Sequence, residues 1–453
     1  MLVLSISLPA LTCCNPKFFA QANQKSLQEL IDEAPAGSVI YIPSGVYVEH
    51  LVVNKSITIV GENPTNTVIS GGNVGELIRV SADNVSIYNL TLSEAEQAIG
   101  FYKVRNCEVI GNTIRNILKY PGTGIYAYNC ENIVIGGNRF ESVHVDNIIF
   151  EQTRNSVVKE NTFIANKRLS QPILLYNSSG NLIESNLVLG LEDVENEGGI
   201  GILYSNDNVI QYNTVLYNDW AGISLRYSNS CIIRGNTIAG HRWYGMKMSY
   251  CRNNVIYWNN FLLNYRHVYV QGCENLSWSL GKFGNFWDNY VGEDHNMDGI
   301  GDRPNQIDNE NFDSYPLMGK FYYFKIIDSN IVENEIFLFS NSTVEGLFTL
   351  KTNEQASIIL SVTGHEDTSG FCLVMFSNDI MEPPYNVKLN ESSPIVLLDY
   401  SNSTHALLYI AYHHKIGGDS IIIIPEIKLE TFVLVIICAS IILRFTRPFQ
   451  STK

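Results

Sequence analysis

The densest run of oxygen ligands in the chain is Asp294-x-Asn296-x-Asp298-Gly299-Ile300-Gly301-Asp302. Oxygen side chains at positions one, three, five and nine, a glycine at six for the turn and a main-chain carbonyl at seven are what a hard cation such as calcium requires. The spacing predicts a structural Ca2+ held by Asp294, Asn296, Asp298, the Ile300 carbonyl and Asp302. Position twelve is Asn305 instead of a bidentate glutamate, so a seventh oxygen has to come from Asp308, Asp313 or water. The competing reading is an Asx-rich turn that caps its own backbone. Under both readings the segment seals the end of a domain and takes no part in a reaction.

A second set of chemistry-bearing residues falls on short alternating segments, which place Tyr126, Tyr128, Glu151, Tyr176, Arg226, Lys247, Tyr269 and Gln271 outward on one face. Loops at its border hold Tyr120, Lys167, Arg168, Glu192, Asp193, Glu195, His241, Arg242 and Trp243. Aromatic rings pack on the CH-rich faces of sugars while fixed polar groups hold the hydroxyls. Tyr126, Tyr128, Tyr176 and Tyr269 are therefore the candidate sugar-binding residues of a long groove. A glycosidase needs two carboxylates roughly 5 Å or 7–9 Å apart, and this face offers only Glu151. A lyase or epimerase needs a base near a group that neutralises a sugar carboxylate. Arg226 and Lys247, on neighbouring repeats, are the cationic pair, so Glu151, Arg226 and Lys247 are the candidate catalytic residues.

What positions these side chains is a repeat. The phrase apolar-apolar-spacer-Asn-x-β-branched or aromatic recurs at Asn138, Asn161, Asn186, Asn213, Asn236 and Asn259, with gaps of 23, 25, 27, 23 and 23 residues, and more loosely at Asn89, Asn112 and Asn285. An alternating strand starts fourteen residues before each of the six asparagines, at Gly124, Asn147, Pro172, Gly199, Gly222 and Gly245, while the return path takes 9, 11, 13, 9 and 9 residues. One invariant arc and one elastic arc, in a unit that cannot bury its own apolar face, describe a solenoid with its insertions on one side. Period-two strands without helical segments give a parallel β-helix of about ten coils from Val39 to Trp287, each rising roughly 4.8 Å. The asparagines are expected to form a structural ladder, since Asn tolerates turn conformations and its amide satisfies buried backbone groups. Cys130, Cys251 and Cys273 share a strand position with Thr153, Ser178, Ser205 and Ser228 and read as small core fillers.

The whole chain has 453 residues, 45% hydrophobic and 17% charged, with 30 Lys+Arg against 45 Asp+Glu and a net charge of −15. No basic block provides the footprint that nucleic acid demands. Nine cysteines without a CxxC pair exclude a disulfide scaffold and a zinc ribbon. Leu2 to Leu11 and the Phe18-Phe19-Ala20-Gln21-Ala22 stretch predict an export signal over 1–22, against the alternative of a buried N-terminal strand. Thirteen uncharged residues from Thr431 to Leu443, followed by Arg444 and Arg447, predict a hydrophobic helix that anchors the chain in a membrane, with a core helix as the alternative.

The segments Ser26-Leu27-Gln28-Glu29-Leu30-Ile31 and Pro35-Ala36-Gly37-Ser38-Val39-Ile40-Tyr41-Ile42-Pro43-Ser44-Gly45-Val46-Tyr47 resemble the opening of right-handed parallel β-helix proteins of the pectin-lyase-like superfamily. The nearer resemblance is to their NosD-like, carbohydrate-binding and sugar-hydrolysis group, carried by Gly284 to Gly319. It covers 26–319 and implies an amphipathic helix capping the rod. The paired-Asp and Gly-His-Gly signatures of polygalacturonases and the Asp-Pro-His of alginate epimerases are missing. The NosD name brings an association with copper, which the dispersed histidines, the isolated His413-His414 and the lack of a Met/His cluster do not support. Short alternating strands in 320–424 predict a β-sandwich and resemble a domain of archaeal surface proteins; Pro425-Glu426, the apolar run and the basic tail resemble their C-terminal sorting signals.

The expected organisation is all-β: signal 1–22, right-handed single-stranded parallel β-helix 23–290, acidic cation loop and cap 291–319, β-sandwich 320–424, and C-terminal anchor or sorting helix 425–453. The expected function is an exported, surface-anchored protein that binds or displays to extracellular polysaccharide without catalysis. A polysaccharide lyase, epimerase or hydrolase working in the groove is the alternative, and a surface-layer spacer the third reading.

Overall fold

A computed structural model describes residues 17–19, 25–164, 171–190, 198–327, 333–351 and 356–426. The chain forms two units, one of residues 1–295 with 300–317, the other of residues 296–299 with 318–453.

The first unit is the predicted parallel β-helix. Its strands stack into two eleven-stranded sheets and one ten-stranded sheet, every neighbouring pair parallel. The ten-stranded sheet runs from Leu51–Val53 to Arg266–Gln271, and its strands keep the alternation read from the sequence. Ile125/Ala127, Ile148/Phe150, Ile173/Leu175, Ile200/Ile202, Ile223/Leu225 and Met246/Met248 all point inward and are buried. The rings of Phe140 and Phe163 stack inside at 4.8 Å, the inter-coil step made visible by identical residues in register. The helix Leu27–Glu33 closes one end, started by a capping box between Ser26 and Glu29 and burying Leu27, Leu30 and Ile31. Lys17–Phe19, inside the expected signal, pairs in parallel with Val39–Ile42.

The asparagine ladder is present and directional. From Asn112 through Asn138, Asn161, Asn186, Asn213, Asn236 and Asn259 to Asn285, each residue donates its N–H and its Nδ2–H to Oδ1 of the next coil's asparagine at 2.9–3.1 Å. Asn89 does not belong to it. Leu90 holds that register and donates its N–H to Asn112, while Asn89 takes the left-handed turn position one residue earlier, with φ 54°. The last acceptor is Asp313, whose Oδ2 receives Asn285 N at 2.7 Å, Asn285 Nδ2 at 3.3 Å and Trp287 Nε1 at 2.9 Å. Gly284 has to be a glycine there, because a Cβ would collide with that carboxylate.

The cysteine–hydroxyl column is also hydrogen-bonded, not mere filling. Cys130 N donates to Thr153 Oγ1, Thr153 N to Ser178 Oγ, Ser178 N to Ser205 Oγ and Ser205 N to Ser228 Oγ, at 2.9–3.2 Å. A further column puts His241 among Asn218 and Asn264: Nδ1 accepts Asn218 N at 3.0 Å, and Nε2 lies 3.1 Å from Val215 O.

The second unit is a β-sandwich of antiparallel sheets. Five strands run in the order Val396–Asp399, His405–His413, Ser369–Ser377, Glu333–Ser340, Lys320–Ile327, and four in the order Thr343–Lys351, Ala356–Thr363, Asp419–Pro425, Tyr385–Leu389. Leu338, Val374, Phe376 and Leu408 from one sheet share a core with Ile358, Leu360, Val387 and Ile421 from the other. Among the described residues no helix is long and apolar enough to cross a membrane. The hydrophobic segment Thr431–Leu443 lies outside the described residues, as do most of 1–22 and the loop residues Lys167, Arg168, Glu192, Asp193 and Glu195.

Candidate functional site

The predicted strand residues Tyr126, Tyr128, Glu151, Tyr176, Arg226, Lys247, Tyr269 and Gln271 lie on the outer face of the ten-stranded sheet, but they gather in two places. Toward the N-terminal coils, Tyr126 donates its hydroxyl to Glu151 at 2.6 Å, and its ring meets Tyr128 at 6.4 Å and Tyr102 at 6.0 Å. Burial and the Glu151 carboxylate push the Tyr126 phenol above its ordinary range. Tyr102 in turn bonds Glu76 at 2.8 Å and lies under the Arg79 guanidinium at 4.2 Å.

Toward the C-terminal coils, Arg226 and Lys247 sit on adjacent strands, Ser224 pairing with Lys247 and Arg226 with Ser249. The Lys247 ammonium is ringed by Trp220 at 4.5 Å, Tyr244 at 5.8 Å and Tyr269 at 5.9 Å. Burial, then the nearby Arg226, lowers its pKa. Arg266 on the next coil covers Tyr269 at 5.1 Å and spends its Nε–H on Val268 O at 2.9 Å. Among the described residues none of these three cations has a carboxylate at ion-pair distance, whereas Arg242 is paired with Asp219 at 3.0 Å and Arg252 with Glu274 at 3.2 Å.

Two aromatic columns flank the cations. Trp220, Trp243 and Tyr265, each immediately before a strand, form one, with ring contacts of 6.3 Å and 6.1 Å at tilted and edge-on angles. Tyr204, Tyr227 and Tyr250, each immediately after a strand, form the other, stacked at 5.1 Å with interplanar angles of 9° and 10°. The columns stand roughly 20 Å apart across the strands. Their geometry differs, although both are exposed: the tyrosines stack face to face, so that each covers part of its neighbour's ring, whereas Trp220, Trp243 and Tyr265 meet at tilted and edge-on angles, and Tyr265 is 79% exposed.

The candidate catalytic residues are not brought together. Glu151 is separated from Arg226 by the strands holding Tyr176 and Leu203, three inter-coil steps or about 14 Å. Tyr176 is exposed beside Tyr204 at 6.0 Å, and Tyr269 alone of the four predicted tyrosines joins the cation cluster. His241 is corrected from a groove residue to a core one: it is buried, and burial drives its pKa down to about 4. The sequence reading missed Trp220, Tyr244, Tyr265, Arg266 and the Tyr204/Tyr227/Tyr250 column. A signal was present in the 23-residue recurrence of Tyr204, Tyr227 and Tyr250, the repeat's own period.

In the expected cation loop, Asp302 Oδ2 accepts the His295 N–H at 2.9 Å and lies 2.8 Å from His295 Nδ1, and Asn296 Nδ2 donates to Asp298 at 3.0 Å. Asp308 accepts from Glu310 N and Asn311 N, and Asp313 ends the ladder, so neither expected source of a seventh oxygen is idle. Asp294, Asp298 and Ile300 also have protein partners.

These coils, ladders and outward polar face define a pectin-lyase-like parallel β-helix protein. The chain belongs to the NosD family: the family model described as periplasmic copper-binding protein (NosD) matches residues 66–292. No curated protein matches the sequence. Solved structures that resemble it include the Azotobacter vinelandii mannuronan C-5 epimerase AlgE6 A-module, at 15% identity over 57% of this chain and 91% of that one, TM-score 0.36. A variant of the periplasmic alginate epimerase AlgG follows at 12% identity over 58% and 85%, TM-score 0.39, and the catalytic domain of a GH87 alpha-1,3-glucanase at 11% over 58% and 66%, TM-score 0.36. The copper in the family's name finds no matching donor set here: among the described residues no group of three or more His, Cys, Asp or Glu side chains is placed to hold a metal ion. His414, for example, is spent on Ser342 and Thr368.

Proposed function

We propose that this is an exported protein that binds an acidic polysaccharide on the C-terminal coils of its ten-stranded sheet, without turning it over. One observation carries the reading: Arg226, Lys247 and Arg266 lie between exposed aromatic columns with no described carboxylate to neutralise them, in a chain of net charge −15. Ring faces at Trp220, Trp243 and Tyr265 suit the CH surfaces of sugars, and the cations suit their carboxylates or sulfates. The 14 Å between Glu151 and Arg226 supports binding over acid–base chemistry, which needs its partners within hydrogen-bond reach of one bond. A lyase or epimerase is the second reading, favoured by the lowered pKa of Lys247 beside Arg226, the direction a general base requires.

The test is a screen of the full chain against acidic and neutral polysaccharides, with calcium and with chelator, monitoring ultraviolet absorbance of unsaturated products. Retention of acidic chains that weakens with salt, without new absorbance, is the expected result. Replacing Arg226, Lys247 and Arg266 together by Gln lowers affinity about tenfold, close to 1.4 kcal/mol, while neutral chains are unaffected. Equal retention of neutral and acidic chains refutes the charge argument. Silence on every glycan leaves the spacer reading, and product absorbance replaces binding by catalysis. Asp294, Asp298 and Asp302 are not gathered into a metal-holding group, so folding is expected to survive chelator; its loss would restore calcium to this loop.

A further inference from the structure

Cys251 and Cys273 stand on the last two coils of the ten-stranded sheet. Their register is fixed from both sides, by the pairs Ser249–Gln271 and Arg252–Glu274. The two residues therefore face each other across one inter-coil step of about 4.8 Å, inside the Cα range that disulfides occupy. The Cys251 N–H donates to the Cys273 sulphur at 3.3 Å. The other described cysteines face no thiol in register: Cys107, one place before the Glu108–Val134 and Glu108–Ser86 pairs, falls between Ile133 and Val85, Cys130 meets Thr153, Cys231 meets Asn254, and Cys372 lies between Ser340 and Ile410. We infer that Cys251 and Cys273 form a redox site, a dithiol that closes to a disulfide between the last two coils on meeting a low-molecular-weight disulfide.

Access runs through Cys273. The strand Arg266–Gln271 is the edge of its sheet, and Cys273 is part-exposed where Cys251 is fully buried. The Cys251 thiol and main-chain donors hold Cys273 below the ordinary thiol range, against burial, which makes Cys273 the attacking thiolate of the pair. The same sulphur contact and burial raise Cys251. The Cys273 thiolate attacks one sulphur of the external disulfide and expels one thiolate. Cys251 then attacks the Cys273 sulphur, and its proton passes to the second thiolate as that thiolate is expelled. Two protein thiols are oxidised, one external disulfide is reduced to two thiols, and no other reagent is required. The bond would staple the terminal coil, with Arg266 and Tyr269, to the coil that carries Lys247.

The test uses the folded full-length chain incubated with excess oxidised glutathione, then alkylated under denaturing conditions and digested with trypsin. The expected product joins the peptides Met248–Arg252 and His267–Lys282 and vanishes on reduction. In Cys251→Ser the reaction stalls as a glutathione adduct on Cys273. A wild-type chain that stops at the same adduct, or in which both thiols still alkylate fully after oxidation, overturns the inference.

Discussion

Removing one amide from the middle of the ladder tests whether the asparagines hold the coils together. Asn236 Oδ1 accepts Asn213 N and Asn213 Nδ2, both at 3.0 Å, and its own Nδ2 donates to Ile210 O at 2.9 Å, Arg234 O at 3.1 Å and Asn259 Oδ1 at 2.9 Å. In Asn236→Ala the Asn213 backbone N–H loses this acceptor in a fully buried site. An orphaned buried donor costs about 1–3 kcal/mol, and each net hydrogen bond lost about 1 kcal/mol. Asn213 Nδ2 keeps Ile183 O and Gln211 O, and Asn259 Oδ1 keeps the Asn236 N–H, so those ends suffer less. The sum is about 3–5 kcal/mol, a fall in melting temperature on the order of 10 °C for a domain of this size. Denaturant unfolding followed by far-ultraviolet circular dichroism gives the total, and hydrogen exchange at the Asn213 amide locates it. Asn236→Asp separates the two sides, since it keeps the acceptor for Asn213 but turns a carboxylate oxygen toward Ile210 O and Asn259 Oδ1. It should be worse than alanine at neutral pH and recover on acidification. A shift below about 1 kcal/mol with Asn213 still protected would refute the reasoning, because an orphaned donor alone should exceed it.

Two buried groups set opposing pH dependences. His241 falls from 6.5 to about 4 by burial, so the unfolded chain takes the proton first and about 3 kcal/mol of stability is lost as pH drops from 6.5 to 4. His241→Asn, matching its column neighbours Asn218 and Asn264, should flatten that slope in unfolding titrations; an unchanged slope would assign the acid sensitivity elsewhere. Asp313 rises from 3.8 to about 6, burial outweighing its N–H donors, so the folded chain holds the proton more tightly and gains about 3 kcal/mol as pH falls from 6 to 4. Asp313→Asn should lose that gain and some stability at pH 7, because its amide N–H2 meets Tyr315 N, which now donates to Oδ1 at 3.1 Å. A variant as stable as the parent with the same slope would show that Asp313 does not terminate the ladder electrostatically.

The coils were legible because their signals are periodic. A fixed fourteen-residue arc fixes which strand positions face inward, and all six predicted pairs are buried. The ladder followed from one residue type at one spacing, except at Asn89, where the turn needed a left-handed residue and the asparagine supplied it one place early. The binding face was harder. Alternation tells inside from outside but not which outward side chains meet, since that depends on register between coils separated by loops of unequal length. His241 was misplaced for a related reason: it stands in an elastic loop by length, yet occupies an asparagine's place in a buried column. Asp313 could not be read at all, because it closes the ladder from 28 residues beyond Asn285, in a segment without the repeat.

The ladder's direction has a bearing on how such a rod changes length. Every asparagine from Asn138 to Asn285 receives from the coil before it and gives to its successor, so a duplicated coil brings its own donor and acceptor and splices in without exposing an unmet group. Modules can therefore be inserted or excised along the interior as interchangeable parts. Asp313 ends that freedom: an ionised carboxylate only accepts, so it completes the series and offers nothing onward. In the economy of the fold it acts as a stop codon does for a message, and the same property would deny a neighbouring molecule any purchase for extending the series end to end.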